Sequence, residues 1–228
     1  MADGEATDRR LGVVGAGKIG TAIARTAMAG GYDVAISGSG PAERIELIVD
    51  VLAPGAHALS TAEVVAFADL IVLAIPMHRF RGLSRDLFAG KILVDATNYW
   101  AETDGFDAEL AAAPAGTSAV VRDWFSSARV VKSLNHLGYF KFEQSRRPPG
   151  AAGRLAMAAA GDDRGAVAVV VRLVDTLGFD PVDAGALDAG LALQPDGPVF
   201  GVGQSAEEMS DLLLPEAASA HEHRRSGV

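Results

Sequence analysis

Short apolar runs alternate along the chain with segments of helical spacing. Residues 11–15 (LGVVG) are an apolar run ending in glycine, and residues 18–29 follow with apolar positions spaced for a helix. Gly30 and Gly31 stop that helix, and 33–37 (DVAIS) read as the next strand. Residues 43–52 have helical spacing and are closed by Pro54 and Gly55. Thr61 is placed to cap a short helix through Ala68, with Glu63 in its first turn. Residues 70–75 (LIVLAI) form an unbroken apolar run, the pattern of a strand covered on both faces. Segments 91–95 (KILVD) and 129–134 (RVVKSL) repeat it, and 155–160 (LAMAAA) do so more weakly. An amphipathic helix over 163–177 and a turn at 178–181 lead to a last strand near Val182. This alternation specifies an α/β fold with a mostly parallel sheet.

The junction of the first strand and helix reads Gly15-Ala16-Gly17-Lys18-Ile19-Gly20, which matches G-x-G-x-x-G. Gly15 allows the tight turn, Gly17 lets a pyrophosphate approach the backbone, and Gly20 lets helix and strand pack closely. The helix start then offers N–H groups and a positive dipole end to phosphate. A P-loop reading overlaps, because Gly12 to Lys18 spells G-x-x-x-x-G-K, but the next residue is Ile19 where magnesium would need Ser or Thr. The fold expected is therefore a Rossmann-type, doubly wound, mostly parallel sheet with a small C-terminal α/β extension. Its predicted divisions are a disordered N-terminus (1–9), a dinucleotide-binding domain (10–147), a small C-terminal portion completing the pocket (154–214) and a flexible tail (215–228). The loop-like segment 146–153 (RRPPGAAG) separates the two middle parts, and the tail carries His221 and His223.

Nicotinamide-dinucleotide folds that prefer NAD place an acid at the end of the second strand, about 20 residues past the glycines. Here the position is Ser37, 22 residues after Gly15, followed by Gly38, Ser39 and Gly40. With no carboxylate to repel a 2′-phosphate, Ser37, Ser39 and the Gly38 loop amides can donate to one, and Arg44 is the candidate counter-charge. NADP(H) is favoured over NAD(H). The alternative is that Arg44 is an ordinary solvent-facing helix residue.

Ligands of open parallel sheets bind beyond the carboxyl ends of the strands. That rule selects Pro76-Met77-His78-Arg79 with Ile75 before them, then Ala96-Thr97-Asn98-Tyr99-Trp100, then Ser133-Leu134-Asn135-His136-Leu137-Gly138. His136 and Asn135 are the candidates for touching a redox partner, and so for the catalytic positions; His78 comes second. Thr97 and Asn98 can bind a carboxamide or satisfy loop backbone. Each histidine has the alternative of a satisfied structural residue. No G-x-S-x-G elbow occurs, and no His, Asp or Glu spacing suggests a metal site.

Composition narrows the classes. The 228 residues are 49% hydrophobic and 21% charged, which excludes a disordered or collagen-like body. The absence of cysteine excludes disulfide scaffolds, thiolate metal sites and thiol nucleophiles. A net charge of −9 argues against nucleic acid as a partner. Residues 1–10 show no secretory pattern and no apolar run approaches the ~20 residues that span a bilayer, so a cytoplasmic protein with no membrane partner is expected. Two basic stretches, 78–85 and 129–147 (Arg129, Lys132, Lys141, Arg146 and Arg147), can receive an anionic small molecule or be solvated surface.

With these features in view, the chain resembles the F420-dependent NADP oxidoreductase family over most of residues 10–190. The marks are GVVGAGKIG, DLIVLAIP, ILVDATN, ARVVKSLNHLG and, outside the generic dinucleotide fold, AGDDRGAVAVVVRLVDTLGFDPVDAG. The resemblance implies a homodimer and hydride transfer between NADP(H) and coenzyme F420, a 5-deazaflavin with an anionic tail. It also implies that the strand ends and the Asp183–Gly185 region wall the pocket, while the basic stretches suit the tail. Two other readings stand beside it. One is an NADP(H)-dependent reductase of a small imine, ketone or hydroxy acid, against which count the fewer than 80 residues after Gly150. The other is a non-catalytic dinucleotide-sensing module.

Overall fold

The computed structural model describes residues 9–214, so the expectations for the first eight residues and for the tail 215–228 lie outside the described residues. Along the chain run β1 (Arg10–Val14), α1 (Lys18–Ala29), β2 (Asp33–Ser37), α2 (Glu46–Leu52), β3 (His57–Ala58), α3 (Thr61–Phe67), β4 (Leu70–Leu73) and β5 (Ile92–Asp95). After these come α4 (Ala101–Asp104), α5 (Ala108–Ala112), α6 (Thr117–Trp124), β6 (Arg129–Ser133), α7 (Tyr139–Gln144), β7 (Ala156–Gly161), α8 (Arg164–Leu177), β8 (Asp180–Gly185) and α9 (Ala206–Leu212). The strands form one sheet ordered β3-β2-β1-β4-β5-β6-β7-β8. The first six are parallel in the 3-2-1-4-5-6 order of doubly wound dinucleotide-binding folds. β7 then pairs antiparallel to β6, and β8 parallel to β7.

The unbroken apolar runs have their cause in two cores. Leu70 and Val72 point into one, with Leu11, Val13, Ile92 and Val94; Ile71 and Leu73 point into the other, with Val14 and Leu93. A strand buried on both faces has no polar side, so alternation vanishes from its sequence. A third, smaller core gathers Ala156, Ala158, Val182, Leu193, Val199 and Met209 around the C-terminal strands.

Besides the two-residue strand β3, which the sequence did not show, three details differ from the sequence reading. The helix expected over 43–52 is a 3-10 turn, Ala42–Arg44, followed by α2. Ile45 between them is buried against the second-strand loop, where a side chain on Gly38 would stand 2.5 Å from it. The cap of α3 is Ser60 rather than Thr61. Ser60 accepts from the Glu63 amide while Glu63 accepts from the Ser60 amide at 2.9 Å, a capping box that leaves the Thr61 hydroxyl for another partner. The helices between 101 and 124, α7 and α9 were not anticipated. Most are only one or two turns long, too short to show a period.

β5 and β6 are joined by charge as well as backbone. Lys132 and Asp95 are both fully buried, 3.3 Å apart. Asp95 also accepts from the Thr97 amide at 3.0 Å, the Thr97 hydroxyl at 2.6 Å and the Ser118 hydroxyl at 2.6 Å, while Lys132 donates to the Thr97 carbonyl. Burial lowers the Lys132 pKa, and the Asp95 carboxylate opposes that shift. Removing one member of such a pair leaves an uncompensated charge in the interior. We expect Lys132→Met to cost about 3–5 kcal/mol. Urea unfolding measures it, and a loss under about 1 kcal/mol would show that Asp95 does not depend on its partner.

Candidate functional site

The turn after β1 is set by contacts that only glycine allows. Gly15 has φ +125°, and a side chain on it would stand 2.2 Å from the Ala74 carbonyl oxygen; one on Gly20 would stand 1.8 Å from the Gly15 oxygen. The Gly15 amide donates to the Ser37 carbonyl at 2.8 Å, which ties the loop to β2. Gly17 is the opposite case. A side chain there would meet nothing within 4 Å, so its open space is a cradle where an external group can approach the backbone. Gly17 is also the N-cap of α1, with no side-chain cap, and the first helical turn carries Lys18 and no acid. The positive end of the helix is thus left without a carboxylate of its own. These features fit a pyrophosphate.

Two cavities meet at this loop. The first, of about 650 Å³, runs over Gly15, Ala16 and Gly17 between the Gly38–Ser39 loop and the chain after β4, with Ile45, Ile48, Thr61, His78, Arg79 and Leu83 on its walls. The second, of about 620 Å³, opens on the other side of Gly17. Lys18 and Ile19 line it, with Asn98, Asn135, His136 and the aromatic side chains of Trp100, Tyr139, Phe140 and Phe200. Ala74, Ile75 and Pro76 belong to both, so the end of β4 is the ridge between them.

The sequence candidates sort as follows. Gly15, Ala16, Gly38, Ser39 and His78 come together on the first cavity, Lys18, Ile19, Thr97, Asn98, Asn135 and His136 on the second, and Gly17, Ile75 and Pro76 on both. Gly20 sits beneath the loop as the packing contact. Ser37 and Arg44 do not reach the groove. The Ser37 side chain is fully buried and its hydroxyl accepts from Thr61 at 3.2 Å, while Arg44 folds back over Gly40 and lines neither cavity. The Thr97 hydroxyl is committed to Asp95 and so is not available to a carboxamide. Asp183 pairs with Arg164 at the sheet edge. Because β8 runs against the first six strands, the chain at Asp183–Gly185 leads away from their carboxyl ends, and Phe200 and Gly201 supply the wall expected from it.

The basic stretches disperse. Of the residues between 129 and 147, Lys132 is consumed by Asp95, Arg129 bonds the Gly90 carbonyl, and Arg146 and Arg147 bond the carbonyls of Leu177 and Gln144. Lys141 alone of the five lines the second cavity. In the other stretch, Arg81 pairs with Asp107 and Glu109, and Arg85 lies over the Trp124 ring, which leaves Arg79 on the groove.

The floor of the second cavity is a built network. Leu134 adopts φ +63° while fully buried, an unusual cost for a branched residue, and its turn starts the Asn135-His136 segment. Asn135 and Asn98 clasp one another: the Asn98 amide donates to the Asn135 carbonyl and the Asn135 amide to Asn98 Oδ1, both at 2.9 Å. His136 Nε2 accepts from the Ala158 amide at 3.3 Å, which puts the proton of the neutral ring on Nδ1. Burial, reinforced by the Lys132 charge, lowers the His136 pKa to about 4. His136 is therefore neutral at physiological pH. The strand-end rule reached Arg79 and Trp100, and the helix pattern reached Thr61. Nothing in the sequence marked the places they take on the cavity walls or the part played by Tyr139, Phe140 and Phe200, which arise from where the chain returns.

Residues 10–99 match the family described as NADP oxidoreductase, coenzyme F420-dependent, and the resemblance read from the sequence is met there. A protein provisionally named F420-dependent NADP-reductase, from Arthrobacter sp. FB24, superposes with TM-score 0.66 and 26% identity, covering 79% of this chain and 86% of that one. The hypothetical protein SMa0349 of Sinorhizobium meliloti superposes with TM-score 0.74 and 24% identity, covering 86% and 95%, and so shares the fold. YjhV of Escherichia coli (strain K12) is 43% identical over 58 residues, 25% of this chain; the chain spans less than half of that curated relative, 42% of its length. Among the described residues no helix is long and apolar enough to cross a membrane, and no cluster of side chains could hold a metal ion.

The neutral His136 makes a pH prediction. Its folded pKa of about 4 lies below the ordinary value of 6.5, so as pH falls the unfolded chain takes up the proton first and stability declines across that window. The full loss is roughly 3 kcal/mol. Unfolding measured from pH 7 to pH 4.5 should show a steeper decline for the parent than for His136→Gln; parallel profiles would refute the assignment.

Proposed function

Since residues 10–99 match the F420-dependent NADP oxidoreductase family, we propose that this protein is an NADP(H)-dependent oxidoreductase that exchanges a hydride with a deazaflavin, coenzyme F420. The observation that carries this reading is the meeting of two cavities at Gly17, with the unhindered N-terminus of α1 between them. The first cavity suits the adenosine half of a dinucleotide, and the second suits a nicotinamide together with a second ring.

When bound, NADPH supplies a hydride from nicotinamide C4 to the deazaflavin C5, and a solvent proton completes the reduced deazaflavin. The chain's part is placement. The α1 amides and Lys18 would hold the pyrophosphate. Ala74 and Pro76 form the ridge between the two cavities that a dinucleotide would have to span, and the Asn98–Asn135 clasp would steady the floor of the second cavity. Trp100, Tyr139, Phe140 and Phe200 offer apolar faces that suit a flat aromatic ring and exclude water from it. Lys18 stands 5.3 Å from the Tyr139 ring centre, and with Lys141 it places positive charge where an anionic tail would leave the cavity.

Deazaflavin absorbance tests the reading directly. Oxidised coenzyme F420 should bleach on addition of NADPH and catalytic amounts of protein, and more slowly with NADH. Tight NADPH binding without bleaching would reject the deazaflavin and send the search to small carbonyl or imine acceptors. Gly17→Val should lower NADPH affinity at least ~10-fold without loss of near-UV circular dichroism, because the added side chain meets open space in the protein and fills only the phosphate cradle. Unchanged affinity would remove the loop from the site.

A further inference from the structure

We infer that Arg79, aimed by His78 and Asp104, supplies the charge that reads a nucleotide 2′-phosphate, from the β4 side of the groove rather than from the second-strand side. The inference rests on the dinucleotide reading above and adds to it the residue that selects NADP(H) over NAD(H).

The chain after Pro76 is a 3-10 segment, Met77–Gly82. With three residues per turn, side chains three apart stack on one face. Met77 and Phe80 take that face and are fully buried, which leaves His78 and Arg79 exposed on the wall of the first cavity. Their orientation is not left to solvent. Asp104 Oδ1 accepts from the His78 amide at 3.2 Å and from Nδ1 at 2.8 Å, and the other Asp104 oxygen accepts from the Trp100 amide at 3.0 Å. Asp104 is largely buried (5% side-chain exposure), so this anchor is firm. With its proton on Nδ1, His78 presents the lone pair of Nε2, which accepts from Arg79 Nε at 3.4 Å. The chain Asp104–His78–Arg79 therefore fixes the guanidinium stem and leaves its terminal N–H groups for an external acceptor.

Across the groove, the second-strand side offers the Gly38 and Ser39 loop, and no carboxylate lines this cavity. The two residues that would conventionally read the phosphate are unavailable: Ser37 is buried against Thr61, and Arg44 lies outside the cavity. Arg79 is the single charged side chain among the described lining residues, and no carboxylate among the described residues pairs with it. A planar donor fork suits a phosphate dianion far better than a ribose hydroxyl. The site thus discriminates by attraction to a phosphate rather than by repulsion of one.

The probes are 2′,5′-ADP and 5′-ADP, bound to the full chain and followed by calorimetry, so that no turnover is required. The parent should bind 2′,5′-ADP more tightly. Arg79→Ala should weaken 2′,5′-ADP ~10- to 100-fold and leave 5′-ADP within about twofold, as loss of a charge-assisted contact predicts. Arg79→Lys should recover part of the loss, and His78→Ala should give a smaller loss in the same direction. Arg44→Ala should leave both ligands unchanged. Equal weakening of both ligands by Arg79→Ala, or a selective effect of Arg44→Ala instead, would overturn the proposal. If the parent binds neither probe nor NADPH, the dinucleotide reading itself fails, an outcome distinct from binding that is indifferent to Arg79.

Discussion

A lysine and an aspartate, both without solvent, hold the carboxyl ends of β5 and β6 in one arrangement. Burying two charges is costly, and their mutual attraction offsets that cost only when their remaining hydrogen-bonding positions are filled. Here they are. Asp95 takes two bonds from Thr97 and one from Ser118, and Lys132 turns to the Thr97 carbonyl as well as to the carboxylate. Two consequences reach the site. The backbone at Thr97 is fixed from both sides, so Asn98, the next residue, starts from a defined position. The Lys132 charge also adds to burial in keeping His136 neutral.

From that joint the second cavity is assembled outward. Asn98 clasps Asn135, the Asn135 side chain donates to the Leu193 carbonyl, and the His136 carbonyl accepts from the Gly201 amide at 2.8 Å. The segments around 193 and 201 are in this way drawn onto the floor of the site, although they belong to the C-terminal part of the chain. The antiparallel turn into β7 makes this possible. It brings the chain back alongside β6, and small side chains on β7 let the following segment pack close.

The sequence made the generic half legible and the particular half much less so. β1, α1 and β2 could be read nearly to the residue, because the glycine loop leaves no choice about where the strand ends and the helix starts. The apolar runs marked the parallel strands for a physical reason: burial on two faces removes the polar alternation. Capping of α3 was also written in the chain, as Ser60 three residues before Glu63, but Thr61 beside it offered a decoy. What could not be read were contacts made by return of the chain. Whether Ser37 faces the groove depends on Thr61, 24 residues later, and whether Arg79 does depends on Asp104 through His78. The basic stretches misled for the same reason, since proximity along the chain says nothing about which carbonyl or carboxylate each arginine will meet.

The charges that remain near the groove follow a consistent plan. Inside, the Lys132 and Asp95 charges cancel and His136 is neutral, so no net charge is held beneath the second cavity. At the rims, Lys18 and Lys141 stand by one cavity and Arg79 by the other. Such a division suits chemistry in which two bound rings exchange a hydride and the protein need not move a proton. A fixed charge under the rings would favour one redox state of each, because the nicotinamide ring gains positive charge when it gives up hydride. On the function proposed above, a neutral floor would leave that balance to the rings themselves, while the rim cations would bind the anionic groups that carry them. The same bias toward placement explains why the firmest polar contacts of the site, the Asn98–Asn135 clasp and the Asp104–His78 pair, connect protein to protein. They hold walls in position and leave the reacting space apolar.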